Sequence, residues 1–156
     1  MPKTKFQDVV FTIIMVIVMV YAMVCYNIAR ATGGLSNQVF LNAFMELPIM
    51  GVIAFLLEFL LVGKLTKKIT FSLINPEETM PLLITLIIST LTVAFMCPLM
   101  SFFATILFNY SGLENVLAKW IQISVINFPM ALCWQLFYAG PFVRFLFKKI
   151  FAKQLA

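Results

Sequence analysis

The sequence predicts an all-α integral membrane protein with four transmembrane helices. Its residues are 63% hydrophobic and 11% charged, against roughly 45–50% and 25% in soluble domains. The apolar residues collect in four runs, and each run has the roughly 20 residues that a helix needs to cross a hydrocarbon core about 30 Å thick. These runs and their connections fill the chain, so we expect a single transmembrane domain over residues 1–156.

The first predicted span covers residues 9–29 and follows a basic head that contains Lys3 and Lys5. A basic head before an apolar run is also typical of a signal peptide, but this run exceeds the 7–15 residues of such a segment. The polar loop 30–38 contains a Gly-Gly pair, and glycine favours the end of a helix. We therefore expect the first two spans to form a tight antiparallel pair.

The remaining spans are predicted over residues 39–62, 81–107 and 116–137. A basic and polar connection separates the second span from the third. We expect Pro98 to kink the third span, because proline removes a helical hydrogen bond. We expect the fourth helix to stop near Gly140-Pro141, since both residue types interrupt helices.

The basic residues predict the orientation of the chain. Nine of the 11 Lys and Arg residues lie in the head, the connection after the second span, and the tail. Only Arg30 and Lys119 lie on the opposite side. Because Lys and Arg are retained on the cytoplasmic side, both termini are expected to be cytoplasmic. Aromatic and basic residues alternate in the tail 142–151, as expected of a helix end at a membrane interface.

The chain also repeats itself at a constant shift of 77 residues, which predicts repeats over about 1–75 and 78–152. Each repeat contains two spans, so both would insert the same way round. The expected architecture is two parallel helical hairpins packed as a four-helix bundle. Matching pairs at this shift include Met19 with Met96, Met23 with Met100, Ala54 with Ala131, Glu58 with Gln135, and Gly63 with Gly140.

The second repeat contains Phe128-Pro129 and then Gly140-Pro141-Phe142-Val143-Arg144. This resembles the bacterial membrane family called domain of unknown function 2798, in which an aromatic-Pro pair, a further Pro and basic residues end the second helix of a hairpin. The first repeat has Phe55-Leu56 and Gly63-Lys64 instead. The resemblance covers most of the chain. It implies the two-hairpin fold and a multi-pass protein of the bacterial cytoplasmic membrane, and it brings no established activity.

The four-span plan is also similar to that of the proteobacterial antimicrobial compound efflux transporters. Those proteins carry an acid in the first span with Arg and His nearby. Here the first span has no acid and the chain has no histidine. The similarity is therefore one of architecture alone.

Glu46 is the first acid inside a span, about 10 Å from the outer end of the second one. An ionised carboxylate there costs at least about 2.5–3.5 kcal/mol. Lys119 lies within about 7 Å of it in depth. A polar cluster in the outer third of the bundle would be completed by Asn27, Asn42 and Gln122. One interpretation is a substrate-binding or proton-binding site, helped by Pro48, which loosens the helix. The other is a structural ion pair of Glu46 with Lys119 that fixes helix register.

Glu58 is the second acid, four residues before the cytoplasmic end of the same span. From there it could reach water or meet Lys64 or Lys67. Alternatively, it belongs to a polar layer with one residue from each span. That layer would comprise Glu58, Gln135, Thr12 and Ser89.

Several kinds of chemistry are not indicated. The chain has no histidine, its three cysteines are isolated, and no metal-ligand spacing, phosphate loop or nucleophile and base pair is found. We therefore expect no enzymatic activity, no cofactor and no bound metal. The basic residues lie beside apolar spans, so they indicate membrane orientation and no nucleic-acid binding.

Two functions fit these observations. The first is transport of lipophilic small molecules, of the multidrug type, by a homo-oligomer such as a dimer that uses the carboxylate of Glu46. The second is a non-transporting membrane component that binds another membrane protein or has a structural role. In both, the lipid bilayer is the surrounding medium.

Overall fold

The computed structural model describes residues 4–108, 110 and 112–152, and in this part of the chain it contains helices and no strands. Two π-helical segments, π1 and π2, continue directly from one α-helix into the next. The chain therefore has four long helices, as the sequence predicts. In chain order the elements are α1 (Lys5–Thr32), α2 (Asn37–Leu57), π1 (Glu58–Val62), α3 (Gly63–Leu73), α4 (Pro81–Leu107), α5 (Leu113–Cys133), π2 (Trp134–Ala139) and α6 (Gly140–Ile150).

All four long helices have the length and apolar composition that a membrane crossing needs. Only 11–22% of the most apolar stretch of each helix is buried. The apolar surface that remains is far larger than soluble proteins expose, and lipid would cover it at no cost. The structure is therefore consistent with a multi-pass membrane protein. The four helices are Lys5–Thr32, Asn37–Leu73, Pro81–Leu107 and Leu113–Ile150.

Local signals set the ends of α1. The side chain of Thr4 accepts a hydrogen bond from the backbone N–H of Gln7, at 3.2 Å, and so caps the helix start. At the other end Gly33 adopts φ 83°, a left-handed conformation that favours glycine. The N–H groups of Gly33 and Gly34 both donate to the carbonyl of Ala29. The predicted helix stop at the glycine pair is confirmed.

The fourth helix does not stop near Gly140-Pro141, so that prediction was wrong. It continues through π2 into α6 and ends at Ile150. Pro141 does not end the helix, because it lies at the start of α6, just after the π-helical turn. At the start of an α segment the missing proline N–H costs little. The second helix likewise runs past its predicted span end and reaches Leu73.

The chain forms two compact units. Unit one consists of residues 1–55 and 134–156, and unit two of residues 56–133. Each long helix that contains a π segment therefore begins in one unit and ends in the other. How the helices assemble as hairpins, and which side each terminus faces, stay predictions.

In unit one, α1 packs against π2 and α6. The rings of Phe11 and Phe147 meet edge to face with centroids 5.5 Å apart. The rings of Phe6 and Phe151 do the same at 6.5 Å. The first helix of the first repeat thus packs against the end of the last helix of the second repeat.

In unit two, α4 packs against α5, and also against π1 and α3. The indole N–H of Trp120 donates to the carbonyl of Pro98 at 2.8 Å, and its ring meets Phe102 edge to face at 5.8 Å. The thiol of Cys97 donates to the carbonyl of Ser124 at 3.6 Å. These contacts fix which face of α5 is turned toward α4.

The Trp120 hydrogen bond leads to a stability prediction. We expect Trp120→Phe to lower the free energy of unfolding by about 1 kcal/mol beyond the effect of the smaller ring. Trp134→Phe is the matched control, because its indole N–H is buried without a hydrogen-bond partner among the described residues and its ring also contacts an aromatic neighbour. Unfolding of both variants in detergent would test this, and an equal loss in both would contradict it.

Candidate functional site

A polar stripe runs along one face of α2. Gln38, Asn42 and Glu46 are spaced four residues apart, so they lie above one another on the helix. The Gln38 amide donates to the Oδ1 atom of Asn42 at 3.3 Å. Asn42 and Glu46 are both half-buried. The structure thus places two of the predicted site residues side by side, with the carboxylate one turn deeper than the amides.

Pro48 interrupts the backbone hydrogen bonding of α2 close to Glu46. Because proline has no N–H, the carbonyl of Phe44 lacks its α-helical donor. The ring of Phe44 contacts that of Tyr21 on α1, with centroids 5.1 Å apart. The Phe44 carbonyl lies near Pro48, on nearly the opposite side of α2 from Glu46. The Glu46 carboxylate and the Asn42 amide, one turn apart on the same face, are the oxygen atoms here that suit a cation or a proton.

The predicted partners of Glu46 lie on α5. Lys119 is half-buried and Gln122 is exposed. Both belong to unit two, whereas Glu46 belongs to unit one. Within unit one, no described Lys or Arg forms an ion pair with Glu46. The pair of Glu46 with Lys119, and the wider cluster with Gln122, stay predictions.

The second predicted group lies at the π segments. Glu58 is the first residue of π1 and is half-buried, and Gln135 is the second residue of π2 and is 5% exposed. In π1 the N–H of Gly63 donates to the carbonyl of Glu58, five residues back. A polar side chain is therefore the first or second residue of each wide helical turn, and a glycine directly follows each turn.

The two glycines explain why the wide turns form there. A Cβ atom on Gly63 would lie 2.7 Å from the carbonyl oxygen of Glu58, and one on Gly140 would lie 2.7 Å from that of Gln135. Real Cβ atoms essentially never approach this closely. Each added Cβ atom would also lie 3.4 Å from a charged side chain. This is the Glu58 carboxylate for Gly63 and the Arg144 guanidinium for Gly140.

Sequence reasoning missed these π-helical turns. The pairs Glu58 with Gln135 and Gly63 with Gly140 are visible at the 77-residue shift, but the Gly140-Pro141 pair by itself predicts a helix end. The boundaries between the compact units fall at 55/56 and 133/134, within three residues of the start of π1 and π2. The π segments are thus the places where each long helix passes from one unit to the other.

The residues of the predicted polar layer lie on two pairs of elements that pack together. Ser89 is buried on α4, which packs against π1, the segment of Glu58. Thr12 lies on α1, which packs against π2, the segment of Gln135. The Thr12 hydroxyl donates to the backbone carbonyl of Asp8 at 2.8 Å. The two pairs belong to different units, so the four-residue layer stays a prediction.

The described residues contain no group of three or more His, Cys, Asp or Glu side chains placed to hold a metal ion. Cys25 and Cys97 are buried and Cys133 is exposed, and all three are free thiols.

Two segments of the chain, residues 4–74 and 81–151, match the family described as domain of unknown function (DUF2798). The chain belongs to this family. The second match begins 77 residues after the first, at the shift of the internal repeat. The resemblance and the two-repeat architecture are therefore confirmed, and both DUF2798 segments include a π-helical turn.

This DUF2798 chain is also similar to the "Uncharacterized protein YybC" of Bacillus subtilis (strain 168). The two are 34% identical over 160 residues, which cover 99% of this chain and 98% of the relative. No solved structure matches the chain.

Proposed function

We propose that this DUF2798 protein exchanges protons for lipophilic cations across a membrane, and that Glu46 is the group both compete for. The observation that carries the proposal is the position of this acid. Glu46 is half-buried on an apolar helix, beside Asn42, and no described basic residue of its own unit neutralises it. An acid in such surroundings needs a counter-charge or a proton.

Competition at one carboxylate is enough to couple two fluxes. When a cation occupies the site it neutralises the carboxylate, and a proton is released. When the cation leaves, a proton takes its place. Because the neutral forms are the ones that apolar surroundings favour, the site would seldom be empty and charged. A proton gradient would then drive the cation in the opposite direction.

The π segments support a moving transporter. Interrupted helices are typical of transporter binding sites, and π-helical turns are frequent at functional sites. Here π1 and π2 fall within three residues of the unit boundaries. We propose that the two long helices bend at these turns during exchange. With both termini cytoplasmic, the protein would act in the bacterial cytoplasmic membrane as a non-enzymatic carrier.

Reconstituted protein tests the proposal. Purified protein in liposomes with an imposed pH gradient should move tetraphenylphosphonium against its own gradient. Reversing the pH gradient should reverse the direction of movement. Protein-free liposomes give the background. The proposal is wrong if the cation flux is the same with and without protein at both signs of the pH gradient.

The alternative is a membrane component that does not transport and that binds another membrane protein. It is favoured if Glu46 and Lys119, both half-buried, matter only as an ion pair. The double variant Glu46→Lys with Lys119→Glu distinguishes the transporter from the non-transporting component. A structural pair would regain stability and function when the charges are exchanged, whereas a transporter that needs a carboxylate at position 46 would stay inactive.

A further inference from the structure

Gln122 is exceptional among the polar residues of the four predicted spans. It is an exposed residue on α5, in the longest helix and the one whose apolar stretch is least buried, at 11%. Every other described Asn, Gln, Asp, Glu, Lys or Arg in those spans is buried or half-buried, namely Asn27, Asn42, Glu46, Glu58, Lys119, Asn127 and Gln135.

The depth of Gln122 makes its exposure costly. It lies six residues from the start of the predicted fourth span at residue 116, and at about 1.5 Å per residue this is about 9 Å along the helix. Its side-chain amide makes no hydrogen bond with any described residue. Lipid chains offer neither donors nor acceptors, so an amide here is unsatisfied unless a protein partner meets it.

The face that carries Gln122 is the face opposite the rest of unit two. At about 100° per residue, Ala118, Gln122, Val125 and Pro129 fall within about 60° of one another, and all four are exposed. The buried α5 residues, Asn127 and Ala131, lie on the other side of the helix. We call the exposed set the Gln122 face.

A second polar group lies on the Gln122 face. Pro129 has no N–H, so the backbone carbonyl of Val125 lacks its α-helical donor. This carbonyl is one turn from the Gln122 amide. The face therefore offers an amide that can donate and accept, and a carbonyl that can accept, within otherwise apolar surroundings.

We infer that the Gln122 face binds the same face of a second copy of this chain. Two copies in one membrane share an orientation, and a two-fold axis along the membrane normal would bring their Gln122 residues together. A primary amide is self-complementary, because each donates one N–H and accepts one in return. The second N–H of each amide is available to the Val125 carbonyl. Side-chain amides are known to promote association of transmembrane helices in this way.

Crosslinking of the full-length chain in membranes tests the interface. In a background of Cys25→Ala, Cys97→Ser and Cys133→Ser, a single Val125→Cys places a thiol on the Gln122 face. Leu117→Cys is the matched control: it is exposed on the same helix but about 140° away from Gln122 around the axis. A short thiol crosslinker should give a product of twice the chain mass with Val125→Cys and far less with Leu117→Cys.

Gln122→Met then tests the amide, since methionine keeps the length of the side chain and removes its polar groups. Energy transfer between labelled copies in liposomes should show dimer dissociation constants about threefold to twentyfold higher than for the wild type. Equal crosslinking at both cysteines, a product with a different protein, or unchanged association of Gln122→Met would each overturn the inference. This test does not depend on transport, so it stands apart from the proposed function.

Discussion

Glu46→Gln is expected to reduce proton-coupled movement of lipophilic cations to the background of protein-free liposomes. Glutamine matches the shape of glutamate and keeps the hydrogen-bonding side chain beside Asn42, but it can neither release a proton nor neutralise a cation. Stability should be retained or increased, because an acid in apolar surroundings is removed. Initial rates of tetraphenylphosphonium flux under a pH gradient measure the effect, with thermal unfolding in detergent as the folding check.

Glu78→Gln is the control for this prediction. It makes the same chemical change at an exposed acid in the connection between α3 and α4, so transport should be unchanged. Glu46→Asp keeps the carboxylate one methylene shorter and should retain part of the rate. If Glu46→Gln transports as well as the wild type, Glu46 is not the coupling group.

Gly63→Ala combined with Gly140→Ala should be the most disruptive conservative change. Each new Cβ atom would lie 2.7 Å from a backbone carbonyl oxygen, which cannot move aside as a flexible side chain can. Either the turn is strained, at about 1–3 kcal/mol for each site, or it reverts to α-helix. If the π-helical turn reverts to α-helix, every later residue of that helix is rotated by about 100° around the helix axis relative to the residues before the turn. We expect a lower unfolding temperature and loss of transport.

Gly51→Ala is the matched control for the glycine variants. Gly51 lies inside α2, and a Cβ atom there would have nothing within 4 Å. Because alanine favours helix over glycine, this change should stabilise the protein by about 0.5–1 kcal/mol. Unfolding in detergent compares the three variants. The role assigned to the π segments would be contradicted if Gly63→Ala and Gly140→Ala behaved like Gly51→Ala.

The four helices were predictable because their cause is local. An apolar run of about 20 residues is sufficient evidence for a membrane-crossing helix, and the Gly33-Gly34 pair ends α1 as expected. The alignment of Asn42 with Glu46 was also predictable, since residues four apart always share a helix face.

The continuation past Gly140-Pro141 was not predictable from local preferences. Glycine and proline together are typical of a helix end, and a π-helical turn depends on a carbonyl that approaches from five residues back. The clue was the repeat: Gly63 and Gly140 occupy equivalent positions, each five residues after a polar residue, Glu58 or Gln135. A shared position of this kind indicates a shared backbone requirement and not two unrelated stops.

The face of α5 that packs against α4 was also beyond sequence reasoning. The face of α5 that is buried depends on long-range contacts with α4. Trp120 bonds to Pro98, and Ser124 accepts from Cys97, and these contacts turn Gln122 to the opposite side. The apolar residues of α5 occupy nearly all sides of this helix. The hydrophobic periodicity of α5 therefore does not indicate which side packs against α4.

Whether Glu46 couples protons to cations is decided by the response of its carboxyl group to a bound cation. Infrared difference spectra of wild type minus Glu46→Gln isolate its protonated C=O band, which can be followed as tetraphenylphosphonium is added. We expect this band to be present without the cation and to fall to zero at saturation, with one proton released for each cation bound. A Glu46 carboxylate that stays ionised without ligand and does not respond to the cation would contradict this coupling, and would favour the structural pair with Lys119.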